Sequence, residues 1–83
     1  MVHDLKTWPV YFRRVFSGDK TFEVRKDDRD FQIGDFLNLK EYNPDTNEYT
    51  GKSVSVYITY ILRGGGFGIE TGYCVMAIKV DHP

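Results

Sequence analysis

The chain has 83 residues, enough for one domain and too few for two, so we predict a single domain over residues 1–83. A formal net charge of −1 excludes the overall basic balance of a protein that coats nucleic acid nonspecifically. The only cysteine is Cys74, which excludes an intramolecular disulfide and a cysteine-rich zinc site. No apolar run approaches the ~20 residues that span a bilayer, and no signal-peptide core is present, so we expect a cytoplasmic protein.

The N-terminal part of the sequence predicts a short strand followed by a helix. Residues 2–6 are the strand candidate, and Thr7 is predicted to cap the N-terminus of the helix. Pro9 falls in the first turn, where its missing N–H leaves no hydrogen bond unmade. Gly18 is expected to end the helix in a left-handed conformation. Apolar residues at helical spacing predict one apolar face, made of Trp8, Phe12, Val15 and Phe16.

The segment 20–25 alternates like a strand and carries a compact group of charges. Thr21, Glu23 and Arg25 are predicted to share one face, and the two apolar residues between them share the other. Lys20 lies at the junction of turn and strand, within reach of the charged face. An arginine offers a planar fork of donors that suits a phosphate or a base edge, and a neighbouring carboxylate holds that fork in place. The alternative interpretation is an exposed ion pair that contributes ~0–1 kcal/mol.

Three further strands are predicted, over residues 36–42, 52–62 and 73–80. Cys74 lies on the apolar face of the last strand and is predicted to be a core residue. Phe67, in the glycine-rich segment between the last two strands, is expected either to cover a ligand or to tuck into the core. Alternating apolar residues of the middle strand are predicted to share one face: Val54, Val56, Ile58, Tyr60 and Leu62.

One early helix and five or six short strands predict a mainly β fold of the α+β class. A sheet this small is best stabilised by closing into a barrel that the helix caps. Six Phe, six Tyr and one Trp supply bulky side chains that fill a small core economically.

The spacing GxKxxExR occurs at Gly18, Lys20, Glu23 and Arg25, directly after the aromatic-rich helix. It resembles the signature of the ASCH domain, a relative of the PUA barrel. The likeness covers nearly the whole chain and matches one branch, the small stand-alone ASCH-like domains of phages and bacteria, which are uncharacterised. The resemblance implies a PUA-like, closed or partly open β-barrel of five to six strands, capped by one N-terminal helix, with a cleft lined by the signature.

ASCH domains are generally proposed to bind RNA, so the resemblance implies an RNA- or nucleotide-binding module. One bacterial ASCH-like group instead hydrolyses N4-acetylcytidine with a lysine, a threonine and a glutamate. Its lysine matches Lys20, but its threonine position holds Glu23 here, and Thr21 is displaced along the strand. A hydrolase of a modified nucleoside, with Lys20 and Glu23 as its catalytic candidates, is therefore the alternative, and a protein-interaction module is a third. The candidate nucleic-acid-binding residues are Lys20, Glu23, Arg25, Lys26, Arg29, His3 and Lys6.

The charged run at residues 25–30 and the first strand supply the remaining candidates. The run has three positive and three negative charges and forms either a solvated loop or a phosphate site with Arg25, Lys26 and Arg29 facing the cleft. Its aspartate spacing does not match a calcium loop, so we predict no metal. His3 is either a partly buried polar residue at a barrel end or a cleft group that contacts a base. We expect a monomer without a cofactor or a membrane partner, and a protein partner is left open.

Overall fold

A computed structural model describes residues 1–81 of the protein. Within these residues, five strands and one helix follow one another, which confirms the prediction of a mainly β fold with one early helix. No helix of this described part is long and apolar enough to cross a bilayer. The elements are β1 (Val2–Thr7), α1 (Pro9–Phe16), β2 (Phe22–Lys26), β3 (Phe36–Asn43), β4 (Glu48–Arg63) and β5 (Tyr73–Val80).

The five strands form one sheet in the order β1-β3-β4-β5-β2. Strand β1 runs parallel to β3, and the other neighbours are antiparallel. The sheet curls into a half-barrel, and β1 and β2 are its two free edges. Helix α1 packs against β3, and Cys74 is fully buried, as predicted. The inner face and the helix enclose the core, which includes Leu5, Phe12, Val15, Phe31, Leu37, Leu39, Val56, Ile58, Cys74, Met76 and Ile78.

Helix α1 starts one residue later than the capping prediction requires. Thr7 is the last residue of β1, and Trp8 takes the N-cap position without a side-chain hydrogen bond, so the Thr7 prediction is wrong. Pro9 opens the helix as expected, and Gly18 has a φ of 86°, which confirms the left-handed ending. Because Trp8 has an extended backbone, helical periodicity does not apply to it, and its side chain is exposed. Phe16 is exposed too, so the apolar face is narrower than predicted.

Strand β4 is longer than predicted and starts at Glu48. Its apolar residues face the core as predicted up to Ile58. A register shift between Ile58 and Tyr60 then reverses the sides, because a β-bulge inserts one unpaired residue into the alternation. The prediction is therefore wrong for Tyr60 and Leu62, which are exposed, whereas Ile61 packs against the core.

Candidate functional site

A cleft of about 470 Å³ opens between the start of α1 and the free edges of β1 and β2. Its volume lies within the range typical of small-molecule sites. Four of its residues are sequence-predicted site residues, namely Lys6, Lys20, Glu23 and Arg25. The others are Thr7, Trp8, Tyr11, Phe22 and Val24.

The floor of the cleft is the carboxylate of Glu23, whose residue is only 4% exposed. Oε1 accepts a hydrogen bond from Lys20 Nζ at 2.8 Å, and Oε2 accepts one from Arg25 Nε at 3.0 Å. The prediction that Glu23 and Arg25 share a face is confirmed, but the interpretation as an exposed ion pair is wrong. A carboxylate has about four acceptor sites, so each oxygen keeps capacity for a ligand.

The charged face of β2 points into the half-barrel because of how β2 pairs with β5. Glu23 lies opposite Met76, and Arg25 lies opposite Cys74, and both of these β5 residues belong to the core. At this edge of the sheet the inner face opens at the mouth of the half-barrel. The opposite charges of Lys20, Glu23 and Arg25 can be partly buried there because they hydrogen-bond to one another. The apolar neighbours on β2 point away from the core as a result, and Phe22 is 47% exposed.

Aromatic side chains form the wall of the cleft. The rings of Trp8 and Tyr11 are stacked, with centroids 6.3 Å apart, and Trp8 is 52% exposed. Lys20 Nζ lies 4.8 Å from the centroid of Phe22 and 5.8 Å from that of Tyr11. Sequence reasoning missed these aromatic residues as site residues and placed Trp8 on the helix face. The sequence contained one indication of this aromatic wall, because Tyr11 is an aromatic residue of the helix that lies outside the predicted apolar face.

A second depression, which we call the basic groove, adjoins the cleft and has a volume of about 490 Å³. Arg25 and Lys6 line both cavities. Arg29 Nη1 donates to the main-chain carbonyl of Asp4 at 2.7 Å, and Lys40 Nζ lies 3.6 Å from the carboxylate of Asp4. The basic groove is lined by Asp4, Leu5, Lys6, Arg25, Arg29, Lys40 and Tyr49.

Comparison with known proteins places the chain in a family. The family model described as Domain of unknown function (DUF3850) matches residues 2–78. The chain belongs to this family. The DUF3850 chain is also 38% identical over 58 residues to the "Uncharacterized 12.9 kDa protein in GpA 3'region" of Escherichia phage P2. That match covers 70% of the chain and 51% of the phage protein, so the chain spans about half the length of this relative.

A solved structure supports the fold of this DUF3850 domain. The crystal structure of hypothetical protein PH0355 superposes with a TM-score of 0.71, and the match covers 98% of this chain and 100% of that chain. At 16% sequence identity, the likeness concerns the fold alone. The comparisons therefore give a family and an architecture.

His3 of the DUF3850 domain does not reach the cleft. It is buried, its Nε2 lies 2.8 Å from Asp35 Oδ2, and its ring meets Phe31 edge-on at 4.8 Å. His3 is therefore more buried than the partly buried polar residue of the first interpretation, and it is not a cleft group that contacts a base. The hydrogen bond from His3 lowers the pKa of Asp35 below its ordinary value, against the opposing effect of burial, and the Gln32 N–H and the Met1 ammonium lower it further.

The other predicted candidates are distributed unevenly. Arg29 reaches the basic groove, whereas Lys26 is exposed and lines neither cavity. Thr21 lines a separate depression, so its hydroxyl is not in the cleft. Phe67 is 94% exposed and lines neither cavity, so it does not tuck into the core. Within residues 1–81, no three His, Cys, Asp or Glu side chains are grouped so as to hold a metal ion.

Proposed function

We propose that this DUF3850 domain binds RNA or a nucleotide, with one base in the cleft. The observation that carries the proposal is that exposed aromatic rings, those of Trp8 and Tyr11, line the same cleft as a buried, doubly hydrogen-bonded carboxylate, that of Glu23. Every base has a π-face, and stacking on an aromatic side chain is worth about 1–3 kcal/mol per base. A glutamate accepts from an exocyclic amino group, which gives the cleft a way to distinguish bases.

The charges of the cleft support an anionic ligand. Its lining contains Lys6, Lys20 and Arg25 against the single carboxylate of Glu23. The whole chain carries a formal net charge of −1, so this positive excess is local. A cleft with an excess of one sign of charge attracts ligands of the opposite sign. A nucleotide, with an aromatic base and a phosphate, combines the two properties that this cleft complements.

The sequence resemblance supports the same proposal. The GxKxxExR residues Lys20, Glu23 and Arg25 line the cleft, and the resemblance implies such a cleft for ASCH domains. We infer that the half-barrel and its helix are a PUA-like arrangement. RNA binding is the function generally proposed for ASCH domains, and it needs no metal or cofactor from this chain.

Trp8 gives a direct test, because it is the only tryptophan and it lines the cleft. Intrinsic fluorescence would be titrated with adenosine, cytidine, uridine and guanosine, and with their 5′-monophosphates, at low and moderate salt. Stacking on Trp8 is expected to quench its emission in a saturable way. Unchanged emission with all eight compounds at high micromolar protein would overturn the proposal.

A hydrolase of an acylated nucleoside is a second candidate, favoured by the 2.8 Å contact between Lys20 Nζ and Glu23 Oε1 under an open cleft. A hydroxyl is also present there, since Thr7 lines the cleft and Arg25 Nη2 lies 3.4 Å from its Oγ1. Incubation with N4-acetylcytidine, followed by chromatography for cytidine, tests this candidate. Product that disappears in both Lys20→Ala and Glu23→Ala supports it, and absence of product in the unchanged protein eliminates it.

A further inference from the structure

We propose that the basic groove binds the backbone phosphates next to the base held in the cleft. The ligand is then a single-stranded oligonucleotide of at least two nucleotides rather than a free nucleoside. This inference rests on the proposed function of the cleft and adds the substrate class to it. Continuity, charge and aromatic lining each support it.

The cleft and the basic groove are continuous through two cationic side chains. Lys6 and Arg25 line both, and the two cavities have similar volumes of about 470 and 490 Å³. A base in the cleft would therefore have its sugar-phosphate linkage beside the same two cations. The path of a strand leads from there into the basic groove, along the free edge of β1.

Two of the four cations of the basic groove, Arg25 and Lys40, form salt bridges with carboxylates, and within residues 1–81 the other two, Lys6 and Arg29, form none. Arg29 donates to the carbonyl oxygen of Asp4, and Arg25 Nη2 donates to the carbonyl oxygen of Lys6 at 2.9 Å. The acceptor of Arg29 is an uncharged main-chain group, so it orients the guanidinium and leaves its positive charge available, whereas Arg25 also donates to the carboxylate of Glu23 through Nε at 3.0 Å. An arginine has five N–H donors, and those not used by the carbonyl can form the paired contacts that phosphates favour.

The acidic content of the basic groove is small. Four of its lining residues are cations, Lys6, Arg25, Arg29 and Lys40, and Asp4 is its single carboxylate. The side chain of Asp4 is 61% exposed and lies 3.6 Å from Lys40 Nζ. A solvent-exposed pair of this kind contributes little, so a phosphate can compete for the lysine.

Aromatic rings in and beside the basic groove favour a strand over an isolated phosphate. Tyr49 lines the groove and meets Tyr42 edge-on, with ring centroids 5.0 Å apart. Lys6 Nζ lies 4.6 Å from the Tyr42 ring centroid, and Lys40 Nζ lies 5.8 Å from that of Tyr49. Cations interleaved with aromatic rings are typical of sites that bind single strands, whose unstacked bases are free to stack on the protein.

The experiment compares nucleosides, which occupy the cleft alone, with RNA hexamers of A, C and U. Nucleoside binding would be followed by Trp8 emission, and hexamer binding by both Trp8 emission and the anisotropy of a fluorescein label, over a series of salt concentrations. The variants are Lys40→Gln and Arg29→Gln. The matched control is Lys52→Gln, because Lys52 is exposed and lines neither the cleft nor the basic groove.

We expect hexamers to bind at least about tenfold more tightly than nucleosides at low salt, because they add phosphate contacts. Each groove substitution should weaken hexamer binding about three- to tenfold and reduce the salt slope by about 0.7. Nucleoside quenching should stay unchanged, and Lys52→Gln should behave like the unchanged protein. Far-UV circular dichroism and thermal unfolding verify that each variant is folded. If Arg29→Gln does not fold, Lys40→Gln alone provides the test.

The failures of the two proposals give different results. The basic-groove proposal is overturned if nucleosides quench Trp8 emission while hexamers bind no more tightly than nucleosides and both groove substitutions leave hexamer binding unchanged. That result would still support the cleft proposal. Absence of quenching by the nucleosides and their monophosphates overturns the cleft proposal, and the substrate class that rests on it. The basic-groove proposal is also overturned if Lys52→Gln weakens hexamer binding as much as the groove substitutions do, because hexamers would then be attracted by the overall positive charge and not by the groove.

Discussion

Arg25 Nη2 donates a hydrogen bond to the main-chain carbonyl of Lys6 at 2.9 Å, which joins the two free edges of the curled sheet. Arg25 belongs to β2 and Lys6 to β1, and these strands lie at opposite ends of the strand order. Arg29 makes the equivalent contact to Asp4, two residues earlier on β1. Edge carbonyls without a partner strand are thus satisfied by guanidinium donors. The same arginine that orients Glu23 also holds the half-barrel at its mouth.

Replacement of Arg25 should therefore weaken the fold as well as the site. Arg25→Lys keeps the charge but cannot contact Glu23 and the Lys6 carbonyl together, because an ammonium lacks the planar fork. We expect a loss of about 1–3 kcal/mol in the free energy of unfolding, measured by urea denaturation. Arg13→Lys, on the exposed side of α1, is the control and should change stability by less than about 0.5 kcal/mol. Equal stability of the two variants would show that the edge contact is dispensable.

Trp8 should matter for binding and little for stability. Trp8→Leu is expected to weaken binding of a labelled RNA hexamer about 5- to 150-fold, which corresponds to the ~1–3 kcal/mol of one stacked base. The unfolding free energy should change little, because the side chain is half exposed. Phe16→Leu is the matched control, since Phe16 is an exposed aromatic residue at the other end of α1 and does not line the cleft. Comparable losses of binding in both variants would contradict the stacking role.

Glu23 should determine which bases the cleft accepts. In the unchanged protein we expect cytidine and adenosine, which carry exocyclic amino groups, to quench Trp8 emission at lower concentration than uridine. Glu23→Gln replaces one carboxylate oxygen with a donor and should reduce that preference, by up to the ~1–3 kcal/mol of a good base-edge contact. The ratio of the cytidine and uridine dissociation constants measures the effect. An unaltered ratio would mean that the carboxylate only positions Lys20 and Arg25.

Acid should destabilise the protein through Asp35. The pKa of Asp35 is lowered from 3.8 by its hydrogen bond with His3, so the native state binds this proton less readily than the unfolded chain. The stabilisation is fully present above the unfolded pKa and is lost as pH falls through the lower native pKa. Urea denaturation between about pH 6 and pH 2 measures this change. Asp35→Asn should be less stable near neutral pH and lose less stability on acidification, and parallel curves would contradict the assignment.

Cys74 should be inert in the native protein. Burial is the main reason that its pKa is raised, and the thiol is therefore neutral near pH 7 and shielded from reagents. Reaction with Ellman's reagent should be slow in buffer and become fast only across the urea unfolding transition. Rapid stoichiometric labelling without denaturant would show that β5 opens locally.

Local sequence pattern was sufficient for most elements and for part of the site. Pro9 and Gly18 mark the two ends of the helix because each has a backbone preference that acts over one turn. Alternation placed Glu23 and Arg25 on one face, since side-chain direction in a strand is a local property. The same rule failed after Ile58, where a bulge that depends on the pairing with β5 reverses the sides.

The sequence by itself determined the chemical groups of the site, Lys20, Glu23 and Arg25, and their common face. Only the tertiary structure decided that this face turns inward, because the pairing of β2 with β5 places Glu23 beside Met76. Tertiary structure also distributed charged side chains of residues 20–29 between two adjoining cavities, the cleft and the basic groove. The reason is physical, since the curl of the sheet brings β1, 19 residues away from Arg25, to within hydrogen-bonding distance. No local pattern encodes such a contact.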